Sequence, residues 1–465
     1  MKKLIGLVLI GFAGAVAFAQ NTESEVIRLS IDEAVEYALK NNRTLKSNDI
    51  DLEMKTRASK YSWNVFLPTV QASGTMSRAT EFSPSTAAQS QLFNKLTQGA
   101  YPIMTDYDSE EDRWSTVGSI SASWNFTPAY IAKIKVAKAQ YEAGKVSWEQ
   151  SQNETLMNIK KIYYGLLLQQ ESLKIQKTTL ENARQRMNQA ATNFKNGSIP
   201  EIQYLQTQVN YENTKPDVDS AEQTLNQHMD LFAFMLGLPV GTKIELTSEI
   251  SPTYVDVNAD DLLAKYSDND LQIQSLRKNM DAAKLGISAA GLATWVPTLA
   301  LSYSWQPVYI GSEGAFHFYK DLGSDDKWYD SGSFSATLVW NLTNMLPWSA
   351  NQQQIKDYKQ QLAQLELTVE TLKENQKVEV KKAVDTLNQA REQIEAMGRN
   401  VTLAQRAYDM TARSYRNGTT ELLDLRDAES SLNQAKLGQL NQKFQYISAL
   451  MDLENTLNVN LTENK

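Results

Sequence analysis

The sequence contains no cysteine, and this absence limits both its stabilising bonds and its chemistry. It excludes disulfides, thiolate metal ligands and a lipid-modified N-terminal cysteine. Histidine is almost as scarce, because His228 and His317 are the only two and lie far apart in the sequence. Neither has a carboxylate at a metal-ligand or general-base spacing, and no nucleophile elbow or phosphate-binding loop is found. We therefore expect no enzyme activity, no metal and no cofactor.

The sequence also lacks a long hydrophobic run beyond its first twenty residues. Those residues have the pattern of an export signal, since two lysines precede an apolar segment that ends at Ala17-Phe18-Ala19, a small-x-small cleavage site. We assign residues 1–19 to a signal peptide and Gln20 to the mature N-terminus. The apolar segment is too short for an ordinary membrane anchor, and no later run of about 18 apolar residues predicts a transmembrane helix.

The charge is acidic, with a formal net value of −8 at neutral pH. Removal of Lys2 and Lys3 with the signal makes the mature chain two charges more acidic. This balance argues against nucleic acid as a partner. Since no disulfide is possible, we expect packing or oligomerisation to stabilise the exported chain.

Proline is absent from two long stretches in which glycine is also rare. From Pro128 to Lys195 only two glycines interrupt the sequence, and apolar residues recur at spacings of three and four. This spacing predicts a helix over about 128–195, on the order of 100 Å long at the α-helical rise. The same pattern predicts a second long helix over about 347–416. Such helices cannot bury their apolar stripes alone, so they require partner helices.

Four shorter segments alternate apolar with small polar residues, as β-strands do. The predicted strands cover about 68–80, 115–126, 297–307 and 332–343. Their polar faces carry mainly Ser, Thr, Asn and Gln, which suits a wet lumen, although a soluble β-sandwich alternates in the same way. Aromatic residues near the strand–helix junctions are typical of a membrane-interface belt: Trp124, Phe126, Trp340 and Trp348. Four strands cannot close a barrel, so a dimer would supply eight and a trimer twelve.

The order of these elements occurs twice, which predicts an internal duplication. The first repeat covers 20–257 and the second 258–465, with return helices over about 201–236 and 421–458. Two sequence matches relate the repeats: Trp124-Asn125-Phe126-Thr127 to Trp340-Asn341-Leu342-Thr343, and Phe194-Lys195-Asn196-Gly197 to Tyr415-Arg416-Asn417-Gly418. Each repeat therefore reads helix, strand, strand, long helix and shorter helix.

Shorter helices are expected before the strands of both repeats. Ser30 followed by Glu33 predicts a capping box at the first of them. A second helix is predicted over about 44–66 and a single helix over about 260–294. The residues after the first return helix, to about 257, are predicted to form an irregular linker.

This arrangement resembles the TolC-like outer-membrane factor (outer membrane efflux protein) family over the whole mature chain. The resemblance rests on the opening Leu29-Ser30-Ile31-Asp32-Glu33-Ala34-Val35, the duplicated strand pairs bounded by proline, and the repeated Asn-Gly tips. It implies an α+β membrane protein, a homotrimer with a twelve-stranded β-barrel in the outer membrane and a long periplasmic α-helical barrel. It also implies a passive exit duct for efflux or type I secretion, with a periplasmic adaptor protein, an inner-membrane transporter and outer-membrane lipid as partners.

The second tip contains the acidic residues of most interest. Glu421, Asp424 and Asp427 follow Gly418 at a spacing of three, which places them roughly along one side of a helix. The resemblance implies that Asp424 and Asp427 form acidic rings at the periplasmic aperture of a trimer, and such rings favour cations. The alternative is that these carboxylates only stabilise the start of a helix through its dipole.

The resemblance also assigns the periplasmic tip and adaptor-docking residues: Asn196, Gly197, Gln203, Tyr415, Asn417, Gly418, Thr420 and Glu421. In related ducts a tyrosine, an arginine and an acid hold the tip closed. Tyr415 matches the tyrosine, but Thr420 stands in place of the arginine and Gln203 in place of the acid. The salt bridge is therefore not matched, and a closed state would need other contacts.

Two other classes of function fit part of the sequence. An exported structural coiled-coil spacer or adhesin explains the long helices and the signal, but neither the paired strands nor the duplication. An unregulated diffusion porin predicts a large open conductance, whereas an acidic, constricted tip predicts small, cation-selective currents.

Overall fold

The computed structural model describes residues 26–78, 80, 114–309 and 328–462. The predicted signal peptide, residues 1–19, lies outside the described residues. In chain order the helices and strands are β1 (Ile27–Leu29), α1 (Ile31–Asn41), α2 (Arg43–Lys60), β2 (Thr69–Arg78), β3 (Trp114–Phe126), α3 (Ala129–Lys195), α4 (Glu201–Leu236), β4 (Ile244–Leu246), α5 (Ala259–Tyr266), α6 (Leu271–Trp295), β5 (Thr298–Tyr309), β6 (Trp328–Val339), α7 (Ala350–Arg416) and α8 (Leu422–Leu457).

The helix lengths repeat between the two halves of the chain. The long helices α3 and α7 each contain 67 residues. The helices that follow them, α4 and α8, each contain 36 residues. Pro216 lies inside α4, which continues past it. This equality is the regularity that an internal duplication predicts.

The described residues divide into two compact units, and each unit draws on both predicted repeats. The first comprises the described residues up to Ile50 together with Trp148–Asp270 and Glu374–Lys465. The second comprises the described residues within Asp51–Ser147 and Leu271–Lys373.

The first unit contains a small parallel strand pair that the sequence did not indicate. Strand β4 pairs with β1 in register, with Ile27 opposite Ile244, so the prediction of an irregular linker after α4 is wrong at this point. Tyr163 of α3 is fully buried beside the pair, and its hydroxyl donates to the Leu29 carbonyl at 2.8 Å. Three residues give almost no periodicity, and their partner lies more than two hundred residues away, so no local pattern predicts this pairing.

The predicted capping box at α1 is confirmed. The Ser30 hydroxyl accepts from the Glu33 backbone N–H at 3.3 Å, and the Glu33 carboxylate accepts from the Ser30 backbone N–H at 2.7 Å. These bonds satisfy two donors at the helix start that would otherwise lack partners.

The single helix predicted over about 260–294 is wrong, because the chain leaves the α-helix between α5 and α6. A 3-10 turn occupies Ser267–Asn269, and Asp270 is non-helical. The amide of the buried Gln376 donates to the Ser267 carbonyl and to the Asp270 carboxylate, both at 3.2 Å. A side chain from α7 therefore satisfies polar groups that the break exposes, which no local sequence pattern reveals.

The helix predicted over 44–66 likewise ends at Lys60 and is followed by a 3-10 turn over Ser62–Phe66.

The second unit contains a four-stranded antiparallel sheet in the order β2-β3-β5-β6. On one face, serine hydroxyls pair across the strands, with Ser73 2.6 Å from Ser119 and Ser302 2.7 Å from Ser335. The other face presents exposed apolar side chains: Val70, Ile120, Trp124, Phe126, Leu299, Tyr303, Phe334 and Leu338. An apolar face of this size without a covering layer requires an apolar environment or a partner.

The last strand ends earlier than predicted. Strand β6 stops at Val339, opposite Thr298, which is the first residue of β5. Trp340 and Leu342 therefore lie beyond the sheet, and Leu342–Met345 forms a 3-10 turn. The alternating pattern continues past the point where a partner strand is available, so the sequence overestimates the strand.

None of the described helices is both long and apolar enough to cross a membrane.

Candidate functional site at the helical tips

The two predicted tips have the same backbone structure. After α3, the Gly197 N–H donates to the Phe194 carbonyl at 2.9 Å and the Ser198 N–H donates to the Asn193 carbonyl at 2.8 Å. After α7, Gly418 and Thr419 donate to Tyr415 and Ser414, both at 3.0 Å. These paired bonds form a Schellman motif, which ends a helix through a left-handed residue.

Glycine supplies the left-handed residue in both motifs. Gly197 has φ +69° and Gly418 has φ +74°, whereas Asn196 and Asn417 do not have positive φ. At each tip the left-handed conformation is therefore adopted by the glycine and not by the asparagine before it. Both asparagines are exposed at the turns.

Several of the predicted tip residues line one groove within the first unit. The groove has a volume of about 2090 Å³, and its lining residues come from α3, α4, α7 and α8. Among the predicted residues it includes Gln203, Tyr415, Gly418, Thr420 and Glu421. It does not include Asn196, Gly197, Asn417, Asp424 or Asp427. The structure thus brings one part of the predicted site together and leaves the other part outside the groove.

Tyr415 is half-buried in this groove. Burial raises the pKa of its phenol, so the side chain is uncharged at neutral pH. Its hydroxyl forms no hydrogen bond with another described residue. Thr420 and Gln203 form no ion pair, because their side chains carry no charge.

Asp424 and Asp427 are both exposed on α8, but they lie at different distances from the start of the helix. Asp424 lies in the first turn, where the helix dipole favours a carboxylate. Asp427 lies beyond that turn, and the dipole effect falls off within the first turn. The dipole interpretation therefore accounts for Asp424 and not for Asp427.

A buried ion pair between α3 and α8 is the feature of this region that sequence reasoning missed. Arg186 Nη2 lies 2.7 Å from Glu429 Oε2, and the two side chains are 11% and 7% exposed. The Asn182 amide donates to the other carboxylate oxygen, Oε1, at 2.7 Å. Both oxygens of Glu429 are therefore paired, while Arg186 Nε has no hydrogen-bond partner among the described residues.

The ion pair belongs to an antiparallel contact between the two helices. Other polar contacts along it join Asn153 to Asn458, Lys161 to Asp452 and Thr179 to Asn433. Tyr408 of α7 lies near the pair; burial raises the pKa of its phenol, and the negative charge of Glu429 raises it further. Arg186 and Glu429 are 243 residues apart in sequence, so only a correct helix pairing could have predicted their contact.

The predicted interface aromatics belong to the second unit and are exposed there. Trp124 and Phe126 are 40% and 42% exposed near the end of β3, and Trp340 and Trp348 are 53% and 75% exposed between β6 and α7. The Phe126 ring also contacts Phe66, with centroids 6.0 Å apart. Large aromatic side chains on the surface, next to an exposed apolar sheet face, are typical of a lipid interface.

Comparison with known proteins gives a family match and several structural matches. The sequence profile of the outer membrane efflux protein family matches residues 34–237 and 262–459. Nodulation protein T of Rhizobium leguminosarum bv. trifolii is 22% identical over 353 residues, which is 73% of this chain and 71% of that protein.

Two solved channels illustrate the structural similarity. The outer membrane channel CmeC of Campylobacter jejuni is 16% identical, with a TM-score of 0.71 over 92% of this chain and 85% of that chain. CusC is 17% identical, with a TM-score of 0.67 over 92% of each chain. At these identities the similarity establishes the fold alone, and it is the TolC-like fold expected from the sequence.

The family match covers both halves of the chain and supports a duct over an exported coiled-coil spacer. It also supports the predicted location, with the sheet at the outer membrane and the long helices in the periplasm. The protein is thus an efflux channel of the outer membrane. On the evidence of a profile that matches most of its length, the chain belongs to the outer membrane efflux protein family.

Proposed function

We propose that three copies of the chain form the exit duct of a tripartite export system. The observation that carries this proposal is the four-stranded sheet with one exposed apolar face. Its edge strands β2 and β6 have no second partner among the strands that the structure describes. Unpaired backbone groups are not tolerated in the bilayer core, so the sheet must continue into other copies. Three copies supply twelve strands, and the serine-rich face then lines the lumen.

The tips are proposed to contact a periplasmic adaptor protein, through which an inner-membrane transporter supplies the energy. The groove that contains Gln203, Tyr415, Thr420 and Glu421 and the exposed turns at Asn196 and Asn417 are the proposed docking region. Ile202 and Leu423, two apolar residues in the lining of the groove, support a protein contact there, because each is 60% exposed.

Asp424 and Asp427 are proposed to form the acidic rings of the aperture. Both carboxylates are exposed, and among the described residues neither forms an ion pair. Arg426, between them in sequence, lines the groove, whereas the two aspartates do not. Charge rings of one sign at a constriction favour ions of the opposite sign, so we expect cation selectivity.

Planar-bilayer recordings test this proposal. The purified oligomer should give small, cation-selective currents, and Asp424→Asn with Asp427→Asn should abolish the selectivity while currents persist. Asp256→Asn, on the segment that precedes α5, is the matched charge control and should leave selectivity intact. Unchanged selectivity in the double variant would reject the acidic rings, and the absence of any conductance from a well-folded oligomer would reject the duct.

A further inference from the structure

Glu429, which forms the buried ion pair with Arg186, lies on the same helix, α8, as the two aspartates of the proposed aperture. Glu429 faces α3, where it is held by Arg186 and Asn182. At 3.6 residues per turn, Asp427 lies about 160° and Asp424 about 140° around α8 from Glu429. The two aspartates therefore project from the face of α8 that is turned away from α3.

From this geometry we infer that Arg186 is the positioning residue of the aperture: its buried bond to Glu429 fixes the rotation of α8 that presents Asp424 and Asp427. The inference deepens the proposed function and rests on the aperture role of the two aspartates. According to this inference, a contact within one protomer fixes the tip. The two residues of that contact are different from Thr420 and Gln203, which replace the salt-bridge residues of related ducts.

A buried polar contact specifies the packing of two helices more narrowly than apolar contacts do. Apolar residues on a helix surface can pack in more than one rotation at similar free energy, because they only require contact. A buried carboxylate has one acceptable orientation, because it is costly to bury without its donors. A single buried polar contact can thereby select one register between two helices.

The other contacts between α3 and α8 are less restrictive. In the ion pair of Lys161 with Asp452, the lysine side chain is 24% exposed and the aspartate side chain 50%. Water can therefore replace either partner if α8 rotates. The bond between Thr179 and Asn433 is neutral, and loss of a neutral hydrogen bond costs less than loss of a buried charge pair. The pair at Glu429 is more buried than the pair of Lys161 with Asp452 in the same helix contact.

The test replaces both charges with apolar residues of suitable size, Arg186→Leu with Glu429→Leu. Such a replacement leaves no unpaired charge and is often compatible with full stability. In planar bilayers we expect assembled trimers whose cation-to-anion permeability ratio falls to that of the Asp424→Asn, Asp427→Asn variant. The control, Lys161→Leu with Asp452→Leu, removes a pair from the same helix contact and should keep the wild-type ratio.

A second measurement reports the orientation of α8 directly. Since the chain has no cysteine, Asp427→Cys introduces a unique thiol. A membrane-impermeant thiol reagent should reduce the current of this variant and lose that effect when Arg186→Leu and Glu429→Leu are added. If the double leucine variant does not assemble, Arg186→Lys replaces it, because lysine keeps the charge but lacks the planar guanidinium whose Nη2 donates to Glu429. It should also lower the permeability ratio.

The outcomes separate this inference from the proposed function. A wild-type channel without cation selectivity would reject the acidic aperture, and the positioning role with it. A selective wild-type channel whose ratio and thiol response survive the leucine replacement would reject only the positioning role of Arg186.

Discussion

The rings of Phe194 and Tyr204 stack across the first tip, with centroids 5.9 Å apart and planes inclined by 6°. Phe194 lies in the last turn of α3 and Tyr204 in the first turns of α4, so the stack joins the two helices beside the Schellman turn. At the second tip the residues with the same spacing are Tyr415 and Leu425, which form no aromatic pair. The two tips therefore share a backbone structure and differ in the side chains that support it.

Replacement of Tyr204 by leucine should loosen the first tip. Aromatic pairs contribute about 0.5–1.5 kcal/mol beyond their buried area, so amide exchange around Asn196 should accelerate about two- to tenfold. Hydrogen–deuterium exchange with mass spectrometry measures this directly. Exchange at the second tip, around Asn417, serves as the internal control, and equal acceleration at both tips would show that the stack has no local role.

Replacement of Gly418 by alanine should destabilise the second tip by about 1–2 kcal/mol, because an L-residue is strained in the left-handed region. The measurement is the free energy of unfolding of the periplasmic helices in urea. Gly291→Ala in α6 is the matched control: a Cβ there would meet no atom within 4 Å, and alanine is favoured over glycine in a helix by about 0.5–1 kcal/mol. Effects of the same sign in the two variants would contradict this explanation.

Tyr163→Phe should destabilise the first unit by about 1–3 kcal/mol, since buried partners of its hydroxyl would lose a hydrogen bond. That hydroxyl donates to the Leu29 carbonyl and accepts from the Ser248 backbone N–H at 3.1 Å. Thermal unfolding followed by circular dichroism provides the comparison. Tyr164→Phe is the control, because the neighbouring hydroxyl has no hydrogen bond among the described residues; an equal loss from both variants would rule out the bonding explanation.

The capping box at α1 should make stability depend on pH. The Ser30 backbone N–H, followed by the Ser30 hydroxyl, lowers the pKa of the Glu33 carboxyl below its usual value of 4.5. A lowered folded-state pKa stabilises the protein above the unfolded pKa, and the benefit disappears as pH falls through the folded pKa. Wild type should therefore exceed Glu33→Gln in unfolding temperature at pH 7 and converge with it below about pH 4. A constant difference across this range would show that ionisation of Glu33 is irrelevant.

Some features of the molecule follow from local sequence alone. The helices α3 and α7 could be predicted to within three residues, because a proline precedes each one, an Asn-Gly turn follows it, and apolar spacing continues between the two. The capping box at Ser30 and the glycines of the two tips were predictable for the same reason: each depends on a few neighbouring residues. Strands β2, β3 and β5 were predicted to within two residues, whereas β6 begins four residues before its predicted start and ends four residues before its predicted end.

Other features were decided by tertiary structure. The pairing of β1 with β4, the break at Asp270 supported by Gln376, and the ion pair of Arg186 with Glu429 all join residues from distant parts of the chain. A local pattern shows that a helix will bury one face, but not which helix will cover it or which polar groups will meet there. Burial then selects among the possible partners, because a charge such as that of Glu429 is stable in the interior only where its donors are already in position.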